Sequence, residues 1–585
     1  MKRNIFAIIK NKAASKASAE ANKSDKQKKK DKPPFIIDDD YRKMVCSQSY
    51  LGKKGYTLSK SILKPEDLEQ LRVELTVKPE VLGPQFGAAS ESAFPVFREN
   101  DNKFYIPRFY GINRYGLPPR CDMDAGEDIG DDVRFVKTMR DFQDVIVNTY
   151  LDHVKKPISD GNTALGDGGI IQLSCGMGKT VLSIKIISEI RKKTLILVHK
   201  EFLMTQWIER IQEFMPAARI GKIQGKICDT KDKDIVIGMI QSIYDKDYPV
   251  NTFSQFGMTI VDEVHRIGSE QFSKTLLKTV TPYMLGISAT VDRKDKLTKV
   301  LYMFIGEKIY SNILRGDDVV SVRAIEYKTL DTQFNETEFD FRGTPQYSKM
   351  IVKLCEFGPR SDFIVRVITD LLAEHPENQI MILGHNRSLL TYLHDAIQHR
   401  KLLVDDALDC NGFSENGIAT VGYYLGGMKP AALQATEKKN IVIATYAMAA
   451  EALDIKTLAT LVMVTPKTDI IQSVGRILRT KHENSIIVDI VDGHDLFQNQ
   501  WKQRMRYYKK CNYRIHKIDS TQYKGFIGVD WNIKVLSQTH HWKKIFEPKV
   551  VAKQEEDDDD EPKTNVHGNG IGKCLISYDD YELLP

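Results

Sequence analysis

Ile170-Ile-Gln-Leu-Ser-Cys-Gly-Met-Gly-Lys-Thr-Val-Leu-Ser-Ile-Lys-Ile-Ile-Ser-Glu-Ile190 passes from an apolar strand, through a glycine-bearing turn, into a helix with apolar periodicity. That context turns Gly176-Met-Gly178-Lys179-Thr180 into a phosphate-binding loop. Gly176 and Gly178 let backbone N–H groups of Ser174, Cys175 and Met177 turn inward around phosphate oxygens, and the helix N-terminus adds partial positive charge. Lys179 is placed to meet the β- and γ-phosphates of ATP, and the Thr180 hydroxyl to meet Mg²⁺. The eight-residue form of this loop usually begins with glycine, and Leu173 stands there instead.

The pattern around the loop extends the reading. Apolar runs at Gly169, Thr194, Asp234, Met258 and Tyr283 alternate with helical stretches, and the rhythm restarts after Arg360 with runs at Gln379, Asn440, Leu461 and Ser485. Continuous apolar strands separated by helices indicate parallel sheets covered on both faces, so the chain is α/β with two such domains in tandem. The expected boundaries are 133–320 and 321–520. A small α+β domain over 38–120 precedes them, with an acidic linker over 121–132; a lysine-rich disordered tail (1–37) and a C-terminal extension with an acidic tail (521–585) close the two ends. Asp122-Met-Asp124-Ala-Gly126 begins like a calcium loop, but Val133 stands where the closing glutamate belongs, which excludes it.

Ile260-Val-Asp262-Glu263-Val-His265 is the loop's expected partner, because a strand here delivers two adjacent carboxylates to the sheet edge. Asp262 is the candidate Mg²⁺ ligand and Glu263 the candidate base for the attacking water. The eight cysteines are scattered with no Cys-x-x-Cys pair, which argues against zinc knuckles and iron–sulfur clusters. No apolar run approaches the ~18 residues that span a bilayer, so no membrane partner is expected.

In order along the chain these segments resemble the motifs of superfamily-2 helicases. Asp262-Glu-Val-His265 is similar to motif II of the DExH type, Ser288-Ala-Thr290 to motif III, Ala444-Thr445…Asp454 to motif V (with Ala452 where glycine is usual), and Gln472-Ser-Val-Gly-Arg476-Ile-Leu-Arg479 to motif VI. Arg140-Asp-Phe-Gln143 resembles the adenine-reading element. The resemblance implies two RecA-like domains, ATP in the cleft between them, Gln143 at the adenine, Asp454 and Gln472 near the nucleotide, and Arg476 and Arg479 as arginine fingers. A catalytically silent scaffold would be expected to lack Lys179, Glu263 or Arg476, and all three are present.

Gly286-Ile-Ser-Ala-Thr-Val-Asp-Arg293-Lys-Asp295 is similar to the XPB and UvsW-like group of duplex-DNA translocases, with Arg-Lys-Asp for Arg-Glu-Asp, and other segments resemble helicases of nucleo-cytoplasmic large DNA viruses. That resemblance implies DNA as the favoured track, with RNA as the alternative, and transcription or replication machinery as protein partners. The implied location is a cytoplasmic viral factory or virion, or otherwise the nucleus or cytoplasm. It also implies nucleic-acid contacts at Lys200, Gln241, Ser242, Arg387 and Thr445. Two further expectations come from the residues. Trp207 packs with Phe202, Ile211 and Phe214 at helical spacing, and Trp501–Lys517 forms a helix docking Trp501, Met505 and Tyr508 with a solvated basic face.

Overall fold

The computed structural model describes residues 35–79, 93–155, 165–174, 176–249, 251–266, 270–291, 293, 297–312, 320–341, 343–404, 412–451, 455, 457–470, 474–475, 485–527, 529, 531 and 541–548. The expected tails, apart from 35–37 and 521–548, lie outside that set.

The first large sheet runs in the order Ile227–Cys228, Ile220–Gln224, Ile235–Met239, Thr194–Val198, Met258–Asp262, Tyr283–Ser288, Gly168–Leu173, Lys308–Asn312. Every neighbouring pair is parallel except the outermost hairpin. Strands such as Thr194–Val198 and Met258–Asp262 are buried along their whole length, because helices cover both faces. The second sheet runs Val421–Tyr424, Ile441–Thr445, Gln379–Gly384, Leu458–Met463, Ser485–Asp492, Val320–Tyr327, Arg514–Asp519, Lys543–Phe546, parallel up to its antiparallel last strand.

Ahead of these lies a five-stranded, mainly antiparallel sheet ordered Arg98–Glu99, Lys103–Ile106, Gly55–Ser59, Tyr50–Gly52, Arg120–Cys121. Its polar centre is the fully buried Asp67, which accepts from Tyr41 Oη at 3.0 Å, Tyr115 Oη at 2.7 Å and Arg114 Nη2 at 2.6 Å. The apolar core of this module is continuous with one face of the first large sheet. Arg108, on the helix Arg108–Tyr115, joins the two. Its buried guanidinium donates to the carbonyls of Pro282 (2.7 Å), Thr281 (3.3 Å), Leu165 (3.0 Å) and Gly166 (2.6 Å). Phe104 and Phe109 are likewise buried in this module, while Tyr105 and Tyr110 are half-buried.

Three segments depart from expectation, and part of a fourth, without an assignment, packs on the second core. Phe35 and Ile37, assigned to the tail, pack on the N-terminal core, with Phe35 edge-on to Tyr41. The acidic stretch is no free linker: Ile129 and Val133 are buried, Asp128 bridges Lys192, and Glu127 pairs with Lys193 at 2.5 Å. Two apolar residues four apart tie a charged run to the sheet. The helix Asp495–Lys510 does dock Trp501 and Tyr508, but Arg504, expected on its wet face, is 1 % exposed and paired with Asp489, and Arg514–Asp519 is a strand. Beyond Lys517, which carried no firm assignment, Tyr523, Phe526 and Trp542 are buried in the second core and Trp531 packs on it.

Candidate nucleotide site

Gly168–Leu173 sits between Tyr283–Ser288 and Lys308–Asn312, and its end launches the turn into the helix Lys179–Ile190. Gly178, with φ of 79°, caps that helix in the left-handed region, which favours glycine. A Cβ there would also come within 2.4 Å of Gln143 Nε2. Lys179 Nζ lies 3.4 Å from the Leu173 carbonyl, at the first position of the helix, and Thr180 follows it. Ser174, Gly176 and Met177 form the rest of the described turn, closed by Met177 N–H to the Ser174 carbonyl at 3.4 Å; Cys175 lies outside the described residues.

Gln143, expected at the adenine, also holds this loop. Its Nε2 donates to the Met177 carbonyl at 3.1 Å, and its Oε1 accepts from the Arg140 N–H at 3.1 Å. The side chain is 5 % exposed. One N–H and one lone pair on the carboxamide are therefore spent holding the phosphate loop against the start of the helix Asp141–Val154.

Met258–Asp262 brings Asp262 and Glu263 to the same edge of the sheet. Asp262 is 6 % exposed, and its Oδ2 accepts from the indole N–H of Trp207 at 2.9 Å. Burial, then the neighbouring Glu263 charge, pushes the Asp262 carboxyl up to about 7, while Trp207 and Lys179 act in the opposite direction. A buried carboxylate held this far from its ordinary ionisation suits a cation as partner. Mg²⁺ in such sites takes one or two protein carboxylates plus phosphate oxygens, so the donor set fits without an all-protein cage. Glu263 follows with φ of 52°, a left-handed backbone unusual for a side-chain-bearing residue and typical of constrained functional turns.

His265 ties these carboxylates to the next strand. Its Nδ1 lies 2.7 Å from Ser288 Oγ and 3.2 Å from Glu263 Oε2. Ser288 spends its hydroxyl proton on the Thr290 carbonyl at 2.6 Å, so the imidazole is the donor to Ser288. Arg293 donates to the His265 carbonyl. Gln172, on the phosphate strand, donates to the Ala289 carbonyl at 3.4 Å. The phosphate strand and His265, beside the carboxylates, thus both hydrogen-bond to the Ser288-Ala-Thr290 segment. Gln172 and Trp207 in this unit escaped the sequence reading as site residues; a polar residue inside an apolar strand was the available signal for the first.

Asp454, Gln472, Arg476 and Arg479 lie outside the described residues. Of the candidate nucleic-acid contacts, Lys200 caps the helix Glu201–Phe214, and Gln241 Nε2 donates to the carbonyl of adjacent His199 at 3.1 Å. Ser242 Oγ accepts from Gly225 N–H at 2.9 Å, so these three occupy one end of the first sheet. Arg387 donates to the Gly426 carbonyl at 3.1 Å, and Thr445 ends the strand Ile441–Thr445.

A family model described as "Type III restriction enzyme, res subunit" matches residues 136–293, the span from Gln143 to Arg293 included. The chain is 32% identical over 471 residues to L396 of Acanthamoeba polyphaga mimivirus, named as an ATP-dependent RNA helicase, covering 79% of this chain and 85% of that protein. QP509L of African swine fever virus, under the same kind of name, is 24% identical over 383 residues, 60% of this chain and 70% of its own. Helicase 161L of Invertebrate iridescent virus 6 is 26% identical over 384 residues, 64% of this chain and 82% of its own.

Proposed function

Because this chain belongs to the superfamily-2 ATP-dependent helicases found in large DNA viruses, we propose that it is a nucleic-acid-stimulated motor whose preferred track is DNA. The observation that carries the motor reading is the convergence of the phosphate strand (through Gln172) and of His265, beside Asp262-Glu263, on Ser288-Ala-Thr290, with Gln143 holding the loop that follows that strand. Lys179 and the backbone amides from Ser174 to Thr180 hold the ATP phosphates, and Gln143 keeps their loop in register. Thr180 and Asp262 would hold Mg²⁺, which would neutralise charge on the phosphate oxygens. Glu263 takes the proton from the attacking water, and His265 passes the state of that carboxylate to Ser288. By the motif resemblance, Arg476 and Arg479 act as arginine fingers on the transferring phosphoryl, and Gln472 and Asp454 belong to the nucleotide-binding set.

Support for DNA is the form of the motifs: Asp262-Glu-Val-His265 and Gln472-Ser-Val-Gly-Arg476 resemble the duplex-DNA translocases, and the Pro-Thr-Arg-Glu and His-Arg-x-Gly-Arg forms of DEAD-box RNA helicases are absent. The names of the mimivirus and African swine fever virus relatives favour RNA instead. The setting proposed is viral transcription, replication or repair, in a cytoplasmic factory or the virion. No helix among the described residues is long and apolar enough to cross a membrane.

The test is the ATP hydrolysis rate with no nucleic acid, duplex DNA, single-stranded DNA and RNA, each saturating and at two salt concentrations. DNA should stimulate most, and less as salt rises, because phosphate contacts release counterions. RNA outperforming both DNAs at both salts would overturn the DNA preference. Equal rates in all four conditions would overturn the motor.

A further inference from the structure

The buried aspartates among the described residues are Asp67, Asp234, Asp262, Asp489 and Asp492. Four of them are ion-paired to an arginine: Asp67 with Arg114 at 2.6 Å, Asp234 with Arg219 at 2.9 Å, Asp489 with Arg504 at 2.7 Å and Asp492 with Arg360 at 2.6 Å. Asp262 has a neutral partner instead, the Trp207 indole N–H at 2.9 Å. From this contrast we infer that Trp207 is a positioning residue for the nucleotide site, fixing the Asp262 carboxylate for a divalent cation without neutralising it. The inference rests on the ATP site proposed above.

Each partner type has a different consequence. A guanidinium satisfies the carboxylate's charge, and at Asp234, Asp489 and Asp492 it occupies both oxygens, which leaves no net attraction for a metal. An indole N–H takes one hydrogen bond, restricts rotation of the carboxylate, and leaves the negative charge uncompensated. Core packing alone does not call for it. Met204 and Ile211 on the same helix are buried and apolar, and a tryptophan that is 1 % exposed brings an N–H that costs free energy unless it finds an acceptor. The acceptor it finds is the carboxylate that ends the Met258–Asp262 strand. Groups that orient a metal ligand in this way typically change metal affinity about 10–100-fold when removed.

The experiment titrates Mg²⁺ into full-length protein with a fluorescent ATP analogue and reads half-maximal nucleotide binding, alongside binding of the same analogue in EDTA and the thermal midpoint. Trp207→Phe removes the N–H and keeps a large ring. It should raise the Mg²⁺ concentration at half-binding about tenfold or more, with EDTA-state binding unchanged. Ile211→Ala, a core truncation on the same helix, should lower the thermal midpoint and leave the Mg²⁺ requirement where it was. If Trp207→Phe does not fold, a benzothienylalanine at position 207, with sulfur in place of the ring nitrogen, removes the N–H at constant shape. An unchanged Mg²⁺ requirement on losing the N–H, or an equal shift in Ile211→Ala, overturns the inference. Wild-type protein that binds no nucleotide in a Mg²⁺-dependent way overturns the ATP-site reading beneath it.

Discussion

Strand for strand, the two large sheets repeat one order: Gly168–Leu173 corresponds to Val320–Tyr327, Thr194–Val198 to Gln379–Gly384, Met258–Asp262 to Leu458–Met463 and Tyr283–Ser288 to Ser485–Asp492. Their chemistry diverges at the strand ends. In the first sheet a glycine-bearing turn follows the Gly168–Leu173 strand, and two carboxylates end the Met258–Asp262 strand. In the second, Val320–Tyr327 leads into Lys328 with no such turn, and the buried carboxylates Asp489 and Asp492 are clamped two-pronged by Arg504 and Arg360. One architecture therefore carries acids of two kinds. Those in the second sheet, like Asp234 paired with Arg219 beside the first, are finished interactions, and Asp262 is held open. Pairing state, more than burial, separates a structural acid from a site acid.

The largest effect expected on breaking this contrast is at the open site. Lys179→Ala should abolish turnover, since the phosphates lose the loop's own cation, and Glu263→Gln should bind ATP yet hydrolyse it at least ~10²-fold more slowly because an amide accepts no proton from water. Steady-state hydrolysis beside equilibrium nucleotide binding distinguishes the two; near-normal kcat in Glu263→Gln would remove the glutamate from its assigned role.

The closed acids should respond in stability. Arg504→Met leaves Asp489 buried and unpaired, which costs about 3–5 kcal/mol, whereas replacing both partners with apolar side chains should recover most of that loss. Denaturant midpoints read the difference. Single and double variants of equal stability would show that this pair is not the finished interaction described.

Asp262 should show a smaller, pH-dependent effect. Its folded carboxyl is raised from 3.8 to about 7, so below pH ~4 both folded and unfolded forms carry the proton and no penalty exists. As pH rises from 4 towards 7 the unfolded chain releases that proton and the folded chain retains it, and stability falls; the penalty is complete above 7. Asp262→Asn should therefore raise the thermal midpoint of nucleotide-free protein at pH 8 more than at pH 5, while eliminating hydrolysis. An equal change at both pH values would contradict the burial assigned to this carboxylate. The smallest effect concerns the lysine-rich end: deleting residues 1–32 should weaken nucleic-acid binding and flatten its salt dependence, leaving the maximal stimulated rate within about twofold.

Most of the first sheet and its site could be read from sequence because the signals are local. The phosphate loop is announced by five consecutive residues, Gly176 to Thr180, and the carboxylates by an uninterrupted apolar run ending in Asp262 and Glu263. Strands such as Ile220–Gln224, with Gly221 and Lys222 inside it, and Arg514–Asp519, with alternating charge, gave no continuous apolar run to detect. Arg504 was assigned to solvent because a helix surface pattern carries no information about a carboxylate 15 residues away on the Ser485–Asp492 strand. Trp207 was legible as a packed residue but not as the partner of Asp262, since their pairing spans 55 residues and exists only once the helix Glu201–Phe214 lies over the sheet. Gln143 was placed near the nucleotide by its motif; its grip on the Met177 carbonyl depends on how the loop turns at Gly178.

That one sheet holds the nucleotide while the other completes its hydrolysis is tested most directly in full-length Arg476→Ala, by measuring ATP-analogue binding and single-turnover hydrolysis with saturating duplex DNA. Binding should stay within about threefold of wild type while hydrolysis falls on the order of 10³-fold or more, because the arginine contributes from the second domain to charge that develops only during phosphoryl transfer. Hydrolysis at the wild-type rate would contradict the account and leave the first sheet as a self-sufficient ATPase.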